Sequence, residues 1–326
     1  MASTGPSRKI RLNRLANVNY QHADFEKALV FLKDFGFEEE SRTEDRVYFR
    51  GYNNEPYVYC AIKGDHPEFR GTTWVVDSLE DLELATEVLP NASKIYDVVS
   101  PGGGKGVTFK DPVDGFPFHL VYGQQLREIS GDVSHNRYEF KELVPNYPKR
   151  KSRPANETVR MQKRPAPVHK LGHFGLCVTN YAAMYDFFTT YFNLRPSELV
   201  YNKAGEAITA FMHLDRGEEW VDHHIFFLFE GPKAHVHHSS FEVHDFDVQL
   251  LGHDYLRWKG YELTWGVGRH IMGSQIFDYW YDTSKFMLEH YADGDLVNDQ
   301  TPTNHSEAHL DNLHVWGPDL PETFLQ

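Results

Sequence analysis

Cysteine is scarce: the chain has two, Cys60 and Cys177, among 326 residues. Both sit inside apolar, strand-like runs, so they read as small core residues in a reducing compartment and make no disulfide framework. Basic residues are also outnumbered, 33 Lys and Arg against 47 Asp and Glu, for a net charge of -14. That balance argues against a general attraction to nucleic acid or to an anionic membrane surface. Long apolar runs are missing too. None approaches the roughly 18 residues a bilayer-spanning helix needs, and "MASTGPSRKI" holds no apolar signal core. The expectation is a soluble, cytoplasmic protein.

What is abundant is aromatic side chains, 14% of residues, and histidine, 19 in all. The length suffices for two domains. Four passages repeat one pattern of strand, helix and further strands. The first runs from "RLANVNY", 14–20, into "DFEKALVFLKDFGF", 24–37, whose Phe25, Ala28, Leu29, Leu32 and Phe35 fall at helical spacing, with Gly36 as a stop. The second runs from "GTTWVV", 71–76, into "SLEDLELATEVL", 78–89, with Ser78 as N-cap, and closes on "DPVDGFPFHLVYG". The third pairs "KLGHFGLCV", 170–178, with "NYAAMYDFFTTYFNL". The fourth pairs "HHSSFEV", 237–243, with "DVQLLGHDYLRWKG" and closes on "YDTSKFMLEHYADG".

Such modules cannot close a core singly, but in pairs they make a cupped sheet with a ligand-sized concave side. The predicted class is α+β, with two domains, each of two paired βαβββ modules forming a cupped mixed sheet. The expected bounds are 1–124, a linker over 125–168, 169–298 and a tail over 299–326. Within the linker, 145–165 has several charges and four prolines and reads as an exposed, protease-sensitive connection.

Aligning the halves by hand sets Asn17 against His173, Gly71 against His238 and His119 against Glu289. Only the second half thus places two imidazoles and a carboxylate at the three equivalent strand positions. That set is the facial triad of non-haem Fe(II) oxygenases, in which one face of a divalent ion is held and the other stays open. The first half, with no carboxylate there, is expected to be metal-free. Taken singly, each residue has a blander reading: a core histidine, a strand carboxylate, a packed tyrosine, a loop imidazole. Their joint order is what carries the argument.

The second half, and less sharply the whole of 10–298, resembles the type I extradiol ring-cleavage dioxygenases of the vicinal oxygen chelate superfamily. The resemblance lies in "LGHFGLCV", in the second His of "HHSSFEV" and in "DTSKFMLE", where Thr283 and Lys285 replace the family's Pro and Gly. It implies His173, His238 and Glu289 as ligands of Fe(II), with Mn(II) as the less favoured ion. His237 would be a non-ligating neighbour and His235 a loop residue. It further implies His224, fourteen residues before His238, as an acid in the oxygen-dependent steps. His270 of "GRH" and Tyr279, ten residues before Glu289, would hold the substrate oxygens. His223 could exchange roles with His224, but the offset to His238 favours His224. Alternation along "HIFFLF" would put His224, Phe226 and Leu228 on one face, with His223 pointing away.

The implied partners are a small aromatic diol and O2, with no organic cofactor, and the family default is a homo-oligomer. A carboxylated substrate would need a cationic anchor, for which Arg269 and Arg216 are candidates. The tail "DNLHVWGPDLPETFLQ", 311–326, would pack over its own second domain or over a neighbouring subunit. Two other functions fit the same fold: a metal-dependent glyoxalase-type isomerase or lyase, and a protein that binds an aromatic ligand without turnover.

Overall fold

The computed structural model describes residues 6, 8–129, 148–149, 158 and 162–325, so most of the expected linker, and most of 145–165 within it, lies outside the described residues. The first half runs β1 (Leu12–His22), α1 (Phe25–Phe35), β2 (Glu38–Arg42), β3 (Arg46–Arg50), β4 (Tyr59–Lys63), then β5 (Glu68–Val76), α2 (Leu79–Val88), β6 (Tyr96–Asp97), β7 (Lys105–Lys110) and β8 (Pro117–Tyr122). The second runs β9 (Val168–Val178), α3 (Tyr181–Tyr191), β10 (Leu194–Tyr201), β11 (Ala207–Leu214), β12 (Val221–Asp222), β13 (Phe226–Glu230), then β14 (His235–Val243), α4 (Phe246–Lys259), β15 (Glu262–Arg269), β16 (Ile276–Tyr281) and β17 (Met287–Ala292). Short β18 (Leu296–Val297) and β19 (Asn304–Glu307) follow.

Apart from β12 and β18, which pair only with each other, these strands form one large sheet per half, in the orders β2-β3-β4-β1-β5-β8-β7-β6 and β15-β16-β17-β14-β9-β13-β11-β10-β19. Each sheet is two βαβββ modules joined at a central antiparallel pair, β1 with β5 and β9 with β14. The fold is thus α+β with two mixed sheets. No helix is long and apolar enough to cross a membrane among the described residues.

Local chemistry accounts for the helix ends. Asp24 and Ser78 accept backbone N–H groups at the starts of α1 and α2. Gly36 ends α1 at φ +118°, and an added Cβ there would sit 1.8 Å from the Ala166 carbonyl oxygen, so the site needs glycine on both counts.

Alternation along the strands divides the second sheet between two environments. One face enters an apolar core shared with the first half. Trp74, fully buried, packs against Phe118 at 5.2 Å, Phe226 at 5.8 Å and Phe174 at 5.9 Å between ring centroids, tying the two sheets together. Burial of such a ring is worth roughly 2–3 kcal/mol. His290 belongs to this face: it stacks on Phe35 and its Nε2 donates to the Phe35 carbonyl oxygen at 2.7 Å. Tyr20 and Ser239 share a hydrogen bond of 2.7 Å across the same junction. The neighbours of these residues, Glu289 and His238, therefore face the other way, into the concave side.

Candidate metal centre and active-site cavity

Three adjacent strands, β9, β14 and β17, carry His173, His238 and Glu289. Ser240 is the register point for both neighbours, opposite His173 on one side and Glu289 on the other. In the first sheet Thr73 pairs in the same way with Asn17 and His119. The correspondence read by hand between the halves thus follows the ladders, with Gly71 and His238 each two residues before the register point. At Gly71 the backbone has φ +99°, and a Cβ would lie 2.4 Å from the Pro117 carbonyl oxygen. A histidine cannot stand there without moving β8.

The three second-half side chains converge. His173 Nε2 lies 3.1 Å from His238 Nε2, and the two lie 3.2 and 3.3 Å from Glu289 Oε2. All three residues are buried. Both Glu289 oxygens lack a hydrogen bond of normal geometry, as does His173 Nδ1. Burial alone would raise the Glu289 carboxyl, but the facing imidazoles outweigh it and hold the group well below the usual carboxylate range. An anion buried with no donor of its own, beside two converging imidazole nitrogens, asks for a cation. The near-equilateral triangle matches the edge of about 3 Å expected when ligand atoms sit about 2.0–2.2 Å from a shared ion. Two nitrogens and one carboxylate suit a first-row divalent metal. The residues therefore fit a metal ion, and they form the one such cluster among the described residues.

A cavity of about 420 Å³ opens beside this cluster, and His224, His270 and Tyr279 all line it. His270 Nδ1 donates to the Leu313 carbonyl oxygen at 2.7 Å, which leaves Nε2 to accept the Tyr279 hydroxyl at 2.8 Å. Burial lowers His270 to about 4, so the ring is neutral at physiological pH. Tyr279 is pushed well above its ordinary range, first by burial and then by Glu289. The ring of His224 lies 4.1 Å from that of His173.

His224 lines the cavity, but not through the alternation expected along "HIFFLF". Phe226 and Leu228 pack into the core, while Phe227 and Phe229 line the cavity with His224. Strand pairing starts only at Phe226, so alternation does not extend back to His224. Nor does His223 point away. It is buried, its Nδ1 is 3.1 Å from His224 Nδ1, and its Nε2 is 3.4 Å from Glu198 Oε1.

His237 was expected to be a non-ligating neighbour; it stands outside the three converging residues but contacts one of them. A register shift between Val236 and His238 interrupts the β9/β14 ladder, and both His237 and His238 border the cavity. His237 Nε2 donates to the Phe324 carbonyl oxygen at 2.6 Å. Its Nδ1 is therefore free to accept from His238 Nδ1 at 2.8 Å, which turns the His238 Nε2 lone pair toward Glu289. Burial holds His237 at about 3, so this acceptor stays unprotonated at physiological pH. His237→Phe removes the acceptor and should weaken metal binding by about 10- to 100-fold, the usual cost of losing such a partner. Equilibrium dialysis against a divalent metal buffer measures this, and unchanged affinity would refute the role.

Phe324 belongs to the tail, which covers the cavity of its own chain. Its ring packs 4.8 Å from Tyr279 and Trp265, and Trp265 Nε1 donates to the Pro318 carbonyl oxygen. Of the two packings expected for the tail, over its own second domain or over a neighbouring subunit, these contacts are the first, though the particular partners were not foreseen. They join residues remote in sequence, and no local spacing announces them.

Residues 170–289 match the model of the Glyoxalase/Bleomycin resistance protein/Dioxygenase superfamily. Metapyrocatechase 2 of Cupriavidus necator is 30% identical over 170 residues, 52% of this chain and 50% of that protein. The chain thus spans about half the length of that relative. Among solved structures, homoprotocatechuate 2,3-dioxygenase from Brevibacterium fuscum, in complex with 3,4-dihydroxyphenylacetate, superposes with a TM-score of 0.82. It is 17% identical, over 98% of this chain and 94% of that one. The Mn(II)-bound glyoxalase from Novosphingobium aromaticivorans reaches a TM-score of 0.77 at 20% identity, over 96% and 95%. At these identities the two structures speak to the fold alone.

Proposed function

We propose, from the match of residues 170–289 to the model of the Glyoxalase/Bleomycin resistance protein/Dioxygenase superfamily, that the protein is an Fe(II)-dependent extradiol dioxygenase. It would open the ring of a catechol with O2, and both oxygen atoms would end in the product. The observation that carries this reading is the convergence of His173, His238 and Glu289 beside a cavity that also holds His224, His270 and Tyr279. The likeness to an extradiol ring-cleaving dioxygenase from Brevibacterium fuscum agrees with it. In this reading 169–298 is the catalytic unit and 1–124 a partner sheet without a metal site.

Bound to His173, His238 and Glu289, the ion would acidify a coordinated catechol hydroxyl and bring substrate and O2 to one centre. The chain does the rest. The Tyr279 hydroxyl and His270 Nε2, already paired, form a donor and an acceptor for a substrate oxygen and its proton. His270 is steadied by the Leu313 carbonyl. His224 has Nδ1 engaged by His223, so its Nε2 is the atom left to hold or release a proton. Phe211, Phe227 and Phe324 keep water from the ring.

The test is anaerobic loading with Fe(II), followed by addition of catechols in air while following the yellow ring-opened product. Mn(II), the ion in the Novosphingobium aromaticivorans glyoxalase, is the natural control. Turnover under nitrogen would favour a glyoxalase-type isomerase, and tight catechol binding without turnover would favour a binding protein. Either result would refute the dioxygenase reading.

A further inference from the structure

The walls of the cavity bear on what the catechol carries. Val200, Ile208, Phe211, Phe229, Met272 and Leu310 make them apolar, and the tail adds Leu313 and Phe324. Among the described residues, no Lys or Arg lines the cavity. The two arginines that the sequence offered as anchors are engaged elsewhere. Arg269 Nη1 donates to the Ser274 carbonyl oxygen at 2.5 Å and to Asp293 at 2.9 Å. Arg216 Nη1 donates to both oxygens of Asp77, at 2.9 and 2.7 Å. The histidines on the wall are committed as well: His237 to Phe324, His270 to Leu313 and Tyr279, and His309 lies 3.3 Å from Asp311.

The charged side chain that does reach the wall has the wrong sign for an acid. Glu230 borders the cavity, with Oε2 accepting the Tyr181 N–H at 3.0 Å. A substrate carboxylate would leave water for an apolar wall, next to another carboxylate and with no cation to meet it. The chain's net charge of -14 adds a repulsive field. A neutral apolar substituent loses nothing by the same transfer and gains contact area. The cavity is also larger than one ring requires and falls within the range of ordinary ligand pockets.

We propose that the substrate is a neutral catechol bearing an apolar substituent, and that the site discriminates against catechols that carry a carboxylate. This rests on the ring-cleavage reading for the diol part and on the wall for the rest. The probes are 4-propylcatechol and 3,4-dihydroxyphenylacetate. Their binding to the Fe(II)-loaded protein is measured by anaerobic calorimetry, and their kcat/KM in air. The neutral compound should bind at least about tenfold more tightly, the least expected for an unpaired charge in an apolar wall, and kcat/KM should move the same way. Ile208→Arg places a cation at a half-buried part of the wall and should shift the ratio toward the acid by about tenfold or more. Equal or tighter binding of the acid to the wild type overturns the proposal while leaving ring cleavage standing. So does an unshifted ratio in an Ile208→Arg protein that still binds its metal. Cleavage of neither compound, with the neutral one still bound more tightly, sinks the ring-cleavage reading and upholds the preference.

Discussion

Glu289→Gln is expected to abolish stoichiometric metal binding. Wild type should hold one divalent ion per chain, and the variant's affinity should fall by more than about 100-fold, beyond the loss typical of an outer partner. The substitution keeps the shape and removes the charge. Glu289 is wholly buried, neither oxygen has a normal hydrogen bond, and two imidazole nitrogens face it within 3.3 Å. Added metal should then raise the melting temperature of wild type and leave the variant unmoved, because only a ligand that binds the folded state stabilises it. Elemental analysis and thermal scans with and without metal read both effects. Two ions per wild-type chain, or undiminished metal in the variant, would overturn the assignment.

His224→Phe should leave metal content and catechol binding nearly intact and slow oxygen-dependent cleavage by roughly 10²- to 10⁴-fold, the range for loss of a positioned acid or base. His224 lines the cavity without belonging to the three converging ligands. The structure changes what to expect of its neighbour. Glu198 faces His223 Nε2, which leaves His223 Nδ1 to accept from His224 Nδ1 and so selects the tautomer of His224. His223→Phe should therefore cost about tenfold in rate, between no effect and the loss at His224. Equal losses in the two variants would make His223 the proton-handling group. No loss in either would return the glyoxalase-type reading to the front.

Much of this molecule was legible along the chain because its signals are local. The helical spacing of Phe25, Ala28, Leu29, Leu32 and Phe35, the cap at Ser78 and the stop at Gly36 need only neighbouring residues, and all three hold. The internal repeat was legible because four modules solve one packing problem with one pattern. Aligning them isolated His173, His238 and Glu289, and the ladders through Ser240 bring those three together.

What the chain could not disclose depends on departures from periodicity and on contacts between distant segments. The register shift before His238 leaves no mark in "HVHH", yet it accompanies the placement of both His237 and His238 at the cavity. The start of β13 at Phe226, rather than two residues earlier, undid an argument from alternation. The engagement of Arg269 by Asp293 and of Arg216 by Asp77 could not be read from composition, since charge pairing is decided by which loops meet. Sequence by itself determined the module, its fourfold repetition and the half that carries the ligand-type residues, because each is written in spacing. Tertiary structure alone decided which neighbours orient those residues, that the tail closes over its own cavity, and that no Lys or Arg among the described residues lines the wall, because each depends on backbones far apart in sequence arriving at the same place.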